Sequence, residues 1–390
     1  MVAVYSDVVR KGLREVLLVT NDLGPRAGGI ETFLLGLIQE LDGTQIVIYT
    51  SSQPGDLAFD SDLHKKCGVL VIRDKSKILL PTPRVNRAVR KVMQEYQSSI
   101  IWFGATAPLA WMAGHLRRNG AKRIVGITHG HEVWWSTLFP FTLIMRTIVR
   151  KMDVLTYLGD FTRNAMRPAV GAKIGMVQIA PGIFIDHFSP GAKSPELVSR
   201  YRLANKLVIV CVGRLVHRKG QDQLIAGMPK ILRVIPEATL LIIGEGPYKE
   251  KLEKLTSQLN LGDCVRFIGR LSYDSLPEHL RLGDLFVMPS RSRFFGLEVE
   301  GLGIVYLEAS ACGLPVIAGD SGGAPDAVIE GATGVVVDGT RVNQISEAVI
   351  SLLLDPALRT AMGERGREWV VNEWNWGVRG EKFKSILFGY

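Results

Sequence analysis

No stretch of this 390-residue chain reaches the roughly 18 consecutive apolar residues that a membrane-spanning helix requires. The longest suspicious run, Leu138 to Val149, is too short and contains Arg146. The opening MVAVYSDVVRKGLR lacks the basic, apolar and cleavage regions of a secretory leader in their proper order. Cysteine is scarce. Cys67, Cys211, Cys264 and Cys312 form no CxxC pair and no zinc-ligand spacing, which argues against a disulfide scaffold and suits reduced thiols in a cytosolic protein. Internal repeats and low-complexity tracts are missing. So is a GxGxxG fingerprint: the first apolar run is followed by Gly24 and then Gly28–Gly29, and the second ends in Thr50 and Ser51 instead of an acidic residue. A nicotinamide-dependent oxidoreductase is therefore disfavoured.

What is present is enough apolar residue for more than one ordinary domain, 47% of the chain, with 22% charged. The net charge of +9 is unevenly placed: residues 1–190 carry 23 Lys+Arg against 15 Asp+Glu. A basic half points to an anionic partner, whether nucleic acid, membrane surface or phosphorylated substrate.

Short β-rich runs recur at 15–20, 45–50, 100–104, 123–128 and 154–158, with helix-length amphipathic stretches between them. The pattern restarts at 206–214 and continues through 238–246, 264–269, 284–290 and 314–319. This is the signature of βαβ units and parallel sheets in two α/β halves. The Pro- and Gly-rich segment 180–196 reads as the linker. Two such halves predict a cleft between them, since ligands bind at the carboxyl ends of parallel strands. The final WNWGVRGEKFKSILFGY reads as a helix whose Trp374, Trp376 and Phe383 must dock somewhere.

Four motifs carry chemistry. In EVEGLGIVYLEASACG (298–313), Glu300 and Glu308 flank a GLGI loop that suits the opening of a helix, with Gly313 as its C-terminal cap. The N–H groups of Leu302, Gly303 and Ile304, with the positive end of the helix dipole behind them, suit a diphosphate. The two carboxylates can accept hydrogen bonds from sugar hydroxyls; a solvated Glu and a plain cap are the alternative. In GRLVHRKG (213–220), Arg214 and Lys219 fall at a strand-to-helix turn, where they can neutralise a diphosphate without a metal. In NDLGPRAGGIETFL (21–34), Gly28 and Gly29 let backbone approach a ligand at a helix start. In THGHEVWWS (128–136), His129 and His131 lie at a strand end, without further ligands to complete a metal site. DSD (60–62) sits in a polar stretch and reads as a loop. PTPRVNRAVRKVMQEYQ (81–97) reads as a helix with Arg84, Arg87, Arg90 and Lys91 near one side; beside apolar Trp134, Trp135, Leu138 and Phe139 it suits an anionic leaflet, the alternative being a solvated basic helix. The aromatics cluster instead of interleaving with Lys and Arg, which disfavours a nucleic-acid partner.

Together these motifs resemble the retaining glycosyltransferases of family 4. The resemblance spans essentially the whole chain, with Leu302 where most members have Phe. It implies the GT-B fold: a Rossmann-like acceptor domain (1–184) and a Rossmann-like nucleotide-sugar donor domain (185–372) facing across a cleft, and a C-terminal crossover helix (373–390) docked back on the N-terminal domain. HGHEV (129–133), VHRKG (216–220), VEGLGIVYLEA (299–309) and VIAGDSGGAPDAV (316–328) look like the branch of the family that mannosylates phosphatidylinositol mannosides. That branch implies GDP-mannose as donor, an α-1,6 linkage, a phosphoinositide-type lipid acceptor, no cofactor or metal, and a cytoplasmic location on the inner face of the membrane. Trp134 and the pair Phe294–Phe295 depart from it and are candidates for the acceptor side. Carried over by position, Arg214 and Lys219 hold the diphosphate and Gly28–Gly29 close over it. Glu308 binds the ribose and Glu300 the mannose hydroxyls. Leu302, Gly303 and Ile304 give backbone donors, His129 lies near the reacting carbon, and guanine lies against backbone from Gly269 to Leu271.

Overall fold

The computed structural model describes residues 12–26, 28–130, 136, 139–171, 174–296 and 298–390. Its contacts divide the chain into two units, residues 1–182 with 376–390, and residues 183–375. The first unit is built on a seven-stranded parallel sheet of β1 (Val16–Thr20), β2 (Ile46–Ser51), β3 (Leu70–Asp74), β4 (Ile100–Phe103), β5 (Arg123–Ile127), β6 (Val154–Tyr157) and β7 (Gly175–Gln178), in the order β3-β2-β1-β4-β5-β6-β7. The second has six parallel strands, β8 (Leu207–Val212), β9 (Ala238–Ile243), β10 (Val265–Gly269), β11 (Leu285–Met288), β12 (Val316–Gly319) and β13 (Gly334–Val337), in the order β10-β9-β8-β11-β12-β13.

Central strands such as β1, with all five residues buried, read as unbroken apolar runs because helices cover both faces of the sheet. In each unit the order reverses beside the first strand, between β1 and β4 and between β8 and β11. Such reversal points open a crevice at the carboxyl ends of the strands, so the loops after β1, β4, β8 and β11 are where each unit can hold a ligand.

Several expectations need correction. DSD is not in a loop: Asp60 and Asp62 lie in a helix, Asp56–Cys67, ended by Gly68 in the left-handed conformation. Asp60 pairs with Arg73 at 2.6 Å and Asp62 with Lys66 at 2.9 Å, so both are committed to ion pairs. The helix is mostly exposed and polar, which hid its periodicity. The boundary between the two units falls within the segment 180–196, between Gly182 and Ile183. Its residues from 183 onward belong to the second unit, where Phe188 is fully buried and the Arg367 guanidinium donates to the carbonyls of Ile185 and Phe188. The C-terminal stretch is broken at Asn375. Trp374 ends a π turn, Val370–Trp374, in the second unit and meets Trp369 edge-on, whereas the helix Trp376–Phe388 packs in the first unit.

The basic helix at 81–97 spans Pro83–Glu95, capped by the Thr82 side chain accepting from Val85 N. Val85, Val89, Val92 and Met93 are buried while Arg84, Arg87 and Lys91 are exposed. Arg84 is committed: its guanidinium donates twice to Asp74, each at 2.8 Å, and the Tyr49 hydroxyl donates to the same carboxylate. Arg84 and Tyr49 hold Asp74 well below the usual carboxylate range.

The C-terminal helix is keyed into the first unit by Trp376 and by Phe383, which meets Trp102 edge-on at 4.8 Å. A Cβ on Gly36, in the helix Gly29–Gln39, would lie 2.1 Å from the Trp376 indole, and one on Gly182 would lie 2.7 Å from its Cα. Gly36→Ala is therefore expected to destabilise the protein by about 1–3 kcal/mol, despite better helix propensity, by overpacking this contact. Trp376→Ala should cost about 3–5 kcal/mol by opening a cavity. Urea denaturation measures both; a Gly36→Ala protein more stable than the parent contradicts the packing.

Candidate functional site

The reversal point of the second unit gathers most of the charged candidates. After β8 the chain passes through Gly213 and a 3₁₀ turn, His217–Lys219, to Gly220 at the start of the helix Gln221–Val234. Gly220 has φ +74°, and a Cβ there would lie 1.9 Å from the Pro289 carbonyl beyond β11. Only glycine lets this turn press onto the neighbouring strand end. The turn sends Lys219 inward, 8% exposed, and leaves Arg214 exposed with no side-chain partner among the described residues. Lys219 Nζ meets Glu300 Oε2 at 2.7 Å, and both side chains are about nine-tenths buried.

Glu300 is delivered by a pinned loop. Arg293 and Glu298 form an antiparallel bridge and an ion pair at 3.1 Å, and buried Arg291 holds Asp222 at 2.7 Å. The Glu300 N–H donates to Ser321 Oγ, and its carbonyl accepts from Gly323 N at 2.9 Å. A Cβ on Gly322 would lie 2.2 Å from that carbonyl, so the glycine pair at 322–323 acts as a cradle. Gly303, at φ +76°, then starts the helix Ile304–Ala311. The helix closes with Gly313 N donating to Ser310 O and Leu314 N to Ala309 O, a Schellman end. Among the described residues the N–H groups of Leu302, Gly303 and Ile304 have no hydrogen-bond partner. They are the unsatisfied first donors of that helix.

Glu308 lies one turn inside the helix, 7% exposed, without a side-chain partner among the described residues. Burial raises its pKa to about 7. Burial, and after it the charge of Glu308, raise the Tyr273 hydroxyl. Tyr273 is stacked on His187, with ring centroids 4.9 Å apart. It lines a pocket of about 540 Å³ at the ends of β8, β9 and β10, together with Gly213, Arg214, Gly244, Glu245, Arg270 and Leu271. The structure thus pairs Lys219 with Glu300, follows Glu300 directly with the Leu302–Ile304 amides, and sets Arg214 and Leu271 in one pocket with Tyr273. Sequence reasoning missed Tyr273, Glu245 and the Arg291–Asp222 pair. The IIGEG run after β9 was a usable signal, since Gly244 has φ +137° and a Cβ there would lie 2.1 Å from Gly213 O.

The remaining candidates belong to the first unit. His129 follows β5; its Nε2 donates to Gly104 O at 2.5 Å, and its ring meets Phe33 edge-on at 5.7 Å. Gly28 precedes the helix Gly29–Gln39 that carries Phe33. Glu31 folds back over this start, its Oε2 2.3 Å from where a Gly28 Cβ would be, and Arg26 Nε donates to it at 2.8 Å. Gly29 faces open space. His131, Trp134, Trp135, Leu138 and the Phe295 side chain lie outside the described residues.

Comparison with known proteins agrees with this division. Residues 27–186 match the family model described as Glycosyltransferase Family 4, and residues 196–369 match Glycosyl transferases group 1. The chain is 42% identical over 376 residues to a GDP-mannose-dependent alpha-(1-6)-phosphatidylinositol monomannoside mannosyltransferase of Mycolicibacterium smegmatis, covering 96% of this chain and 98% of that protein. It is also 42% identical to a GDP-mannose-dependent monoacylated alpha-(1-6)-phosphatidylinositol monomannoside mannosyltransferase of Corynebacterium glutamicum, covering 96% and 98%. Among solved structures, Anabaena HepE in complex with UDP superposes with a TM-score of 0.79 at 17% identity, covering 96% of this chain and all of that one. The likeness in fold extends to both α/β units.

The raised pKa of Glu308 has a measurable sign. The folded protein holds this proton up to about pH 7, whereas an ordinary glutamate releases it near 4.5. The unligated fold therefore loses stability as pH rises from about 4.5 to about 7, by at most about 3 kcal/mol at 1.36 kcal/mol per unit. Glu308→Gln should remove that part of the pH dependence in thermal melts, and superimposable profiles for variant and parent would contradict the burial argument.

Proposed function

The chain belongs to glycosyltransferase family 4, and from that premise we propose that it transfers mannose from GDP-mannose to a phosphatidylinositol mannoside, with retention, through an α-1,6 linkage. One observation supports the site assignment most directly: a buried lysine and glutamate are paired at the strand reversal, immediately before a helix start with three amides that have no hydrogen-bond partner among the described residues. That arrangement suits a group that is anionic on one side and hydroxyl-rich on the other, as a sugar diphosphate is.

In this reading Lys219 and Arg214 hold the diphosphate, and the Leu302–Ile304 amides complete its cradle. Glu300 takes sugar hydroxyls and Glu308 the ribose. As the glycosidic bond breaks, charge grows on the leaving diphosphate, and these preorganised donors stabilise it with no need of a metal. A leaving phosphate oxygen on the same face can take the proton of the attacking hydroxyl, which accounts for retention without a protein nucleophile. The first unit supplies the acceptor side, with His129 at the end of β5.

No helix among the described residues is long and apolar enough to cross a membrane. The Pro83–Glu95 helix offers a peripheral contact at the inner leaflet instead. Arg87, Arg90 and Lys91 are its available cations, each worth about 1 kcal/mol near an anionic surface, whereas Arg84 is tied to Asp74.

Titration calorimetry in EDTA tests the donor site. GDP should bind in preference to UDP and ADP, and Lys219→Ala should weaken GDP about 10- to 100-fold, the worth of a hydrogen bond to a charged group; unchanged affinity would remove the diphosphate assignment. Replacing Arg87, Arg90 and Lys91 together by Gln should reduce sedimentation with anionic vesicles while leaving the melting temperature unchanged. Arg84→Gln should do the reverse, lowering stability first. Vesicle binding indifferent to the triple change would mean that this face is merely solvated.

A further inference from the structure

We propose that Glu245 is the residue that selects guanine, by accepting hydrogen bonds from its N1–H and N2–H groups, with Arg270 on the O6/N7 edge. The inference rests on the second unit being the nucleotide-sugar donor domain. It goes further by giving the base a side-chain reader instead of backbone alone.

The first argument is placement. The pocket of about 540 Å³ runs across the ends of β8, β9 and β10, which are successive neighbours in the sheet. Arg214 follows β8, Glu245 follows β9 and Arg270 follows β10. Parallel strands lie about 4.8 Å apart, so β8 to β10 spans about 10 Å, the reach from a diphosphate across a ribose to a base. With the diphosphate at β8 and Tyr273 lining the same pocket, the base falls toward β9 and β10.

The second argument is how the carboxylate is held. Gly244 brings the chain tightly past Gly213, and Leu215 N donates to Glu245 O at 3.0 Å, so the backbone of Glu245 is fixed. Gly269, at φ +84°, lies beside the side chain: a Cβ there would be 3.4 Å from Glu245 Oε1. Lys249 Nζ holds that same oxygen at 3.2 Å, and the carboxylate remains half-exposed toward the pocket. Arg270 is exposed and lines the same pocket.

The third argument is chemical complementarity. Guanine offers two adjacent donors on one edge and the acceptors O6 and N7 on another. A carboxylate and a guanidinium in one pocket match those two edges. Adenine would turn its N1 lone pair toward the carboxylate. Uracil has a single N–H between two carbonyls, each of which would face Glu245 unfavourably.

Calorimetry of the full chain with GDP, IDP and UDP reads the assignment, because inosine lacks only the N2 amine. The parent protein should prefer GDP over IDP about tenfold, the worth of one charge-assisted hydrogen bond at a half-exposed site. Glu245→Ala and Glu245→Gln should bring the two within about threefold, with IDP, which keeps the N1–H, weakened less than GDP. Arg270→Ala should weaken GDP and IDP alike. Both positions are exposed, and melting temperatures verify that the variants fold. A GDP-over-IDP preference that survives in both Glu245 variants overturns the assignment while the donor-domain reading stands. A parent protein that binds none of the three nucleotides overturns both.

Discussion

The Lys219–Glu300 ion pair sets the terms for everything around it. Burying two charges costs several kcal/mol per ion unless each is well compensated, and such a pair is rarely worth keeping for stability alone. Here it is held by a turn that only glycine at 220 permits, a carbonyl cradle at Gly322–Gly323, and a loop pinned by Arg291–Asp222 and Arg293–Glu298. So much backbone precision around one short contact makes sense if the pair is a resting arrangement, in which the protein's own carboxylate occupies the lysine until a phosphate takes it.

Glu308 completes that logic. A carboxylate pushed to a pKa of about 7 by burial, with no partner among the described residues, is an acceptor waiting for donors. In the proposed reading, ribose hydroxyls would supply donors without adding charge and so relieve the desolvation that burial imposes on this carboxylate. The first unit holds a parallel arrangement on a smaller scale: Glu31 folds over the start of the Gly29–Gln39 helix and is itself held by Arg26.

Central strands were legible because a strand covered on both faces must be apolar throughout. The edge strands β3, β7 and β13 were not, being only partly buried. The Glu300–Glu308 spacing, the Gly-started helix and the position of Lys219 at a strand-to-helix turn were legible because each follows from local turn chemistry. The ion pair itself was not, since it joins loops after β8 and β11 that only the sheet order makes neighbours. Arg84 shows the converse. Its place on the basic face was readable from helix spacing, but its commitment to Asp74 depended on β3, a strand the pattern concealed.

Purified protein would be incubated in EDTA with GDP-mannose and phosphatidylinositol monomannoside in anionic vesicles, and the product linkage read by NMR. The expected result is an added mannose in α-1,6 linkage, formed without metal. Transfer that requires a divalent cation, or a β-linked product, would contradict the electrostatic, retaining mechanism assigned to Lys219, Arg214 and the Ile304–Ala311 helix.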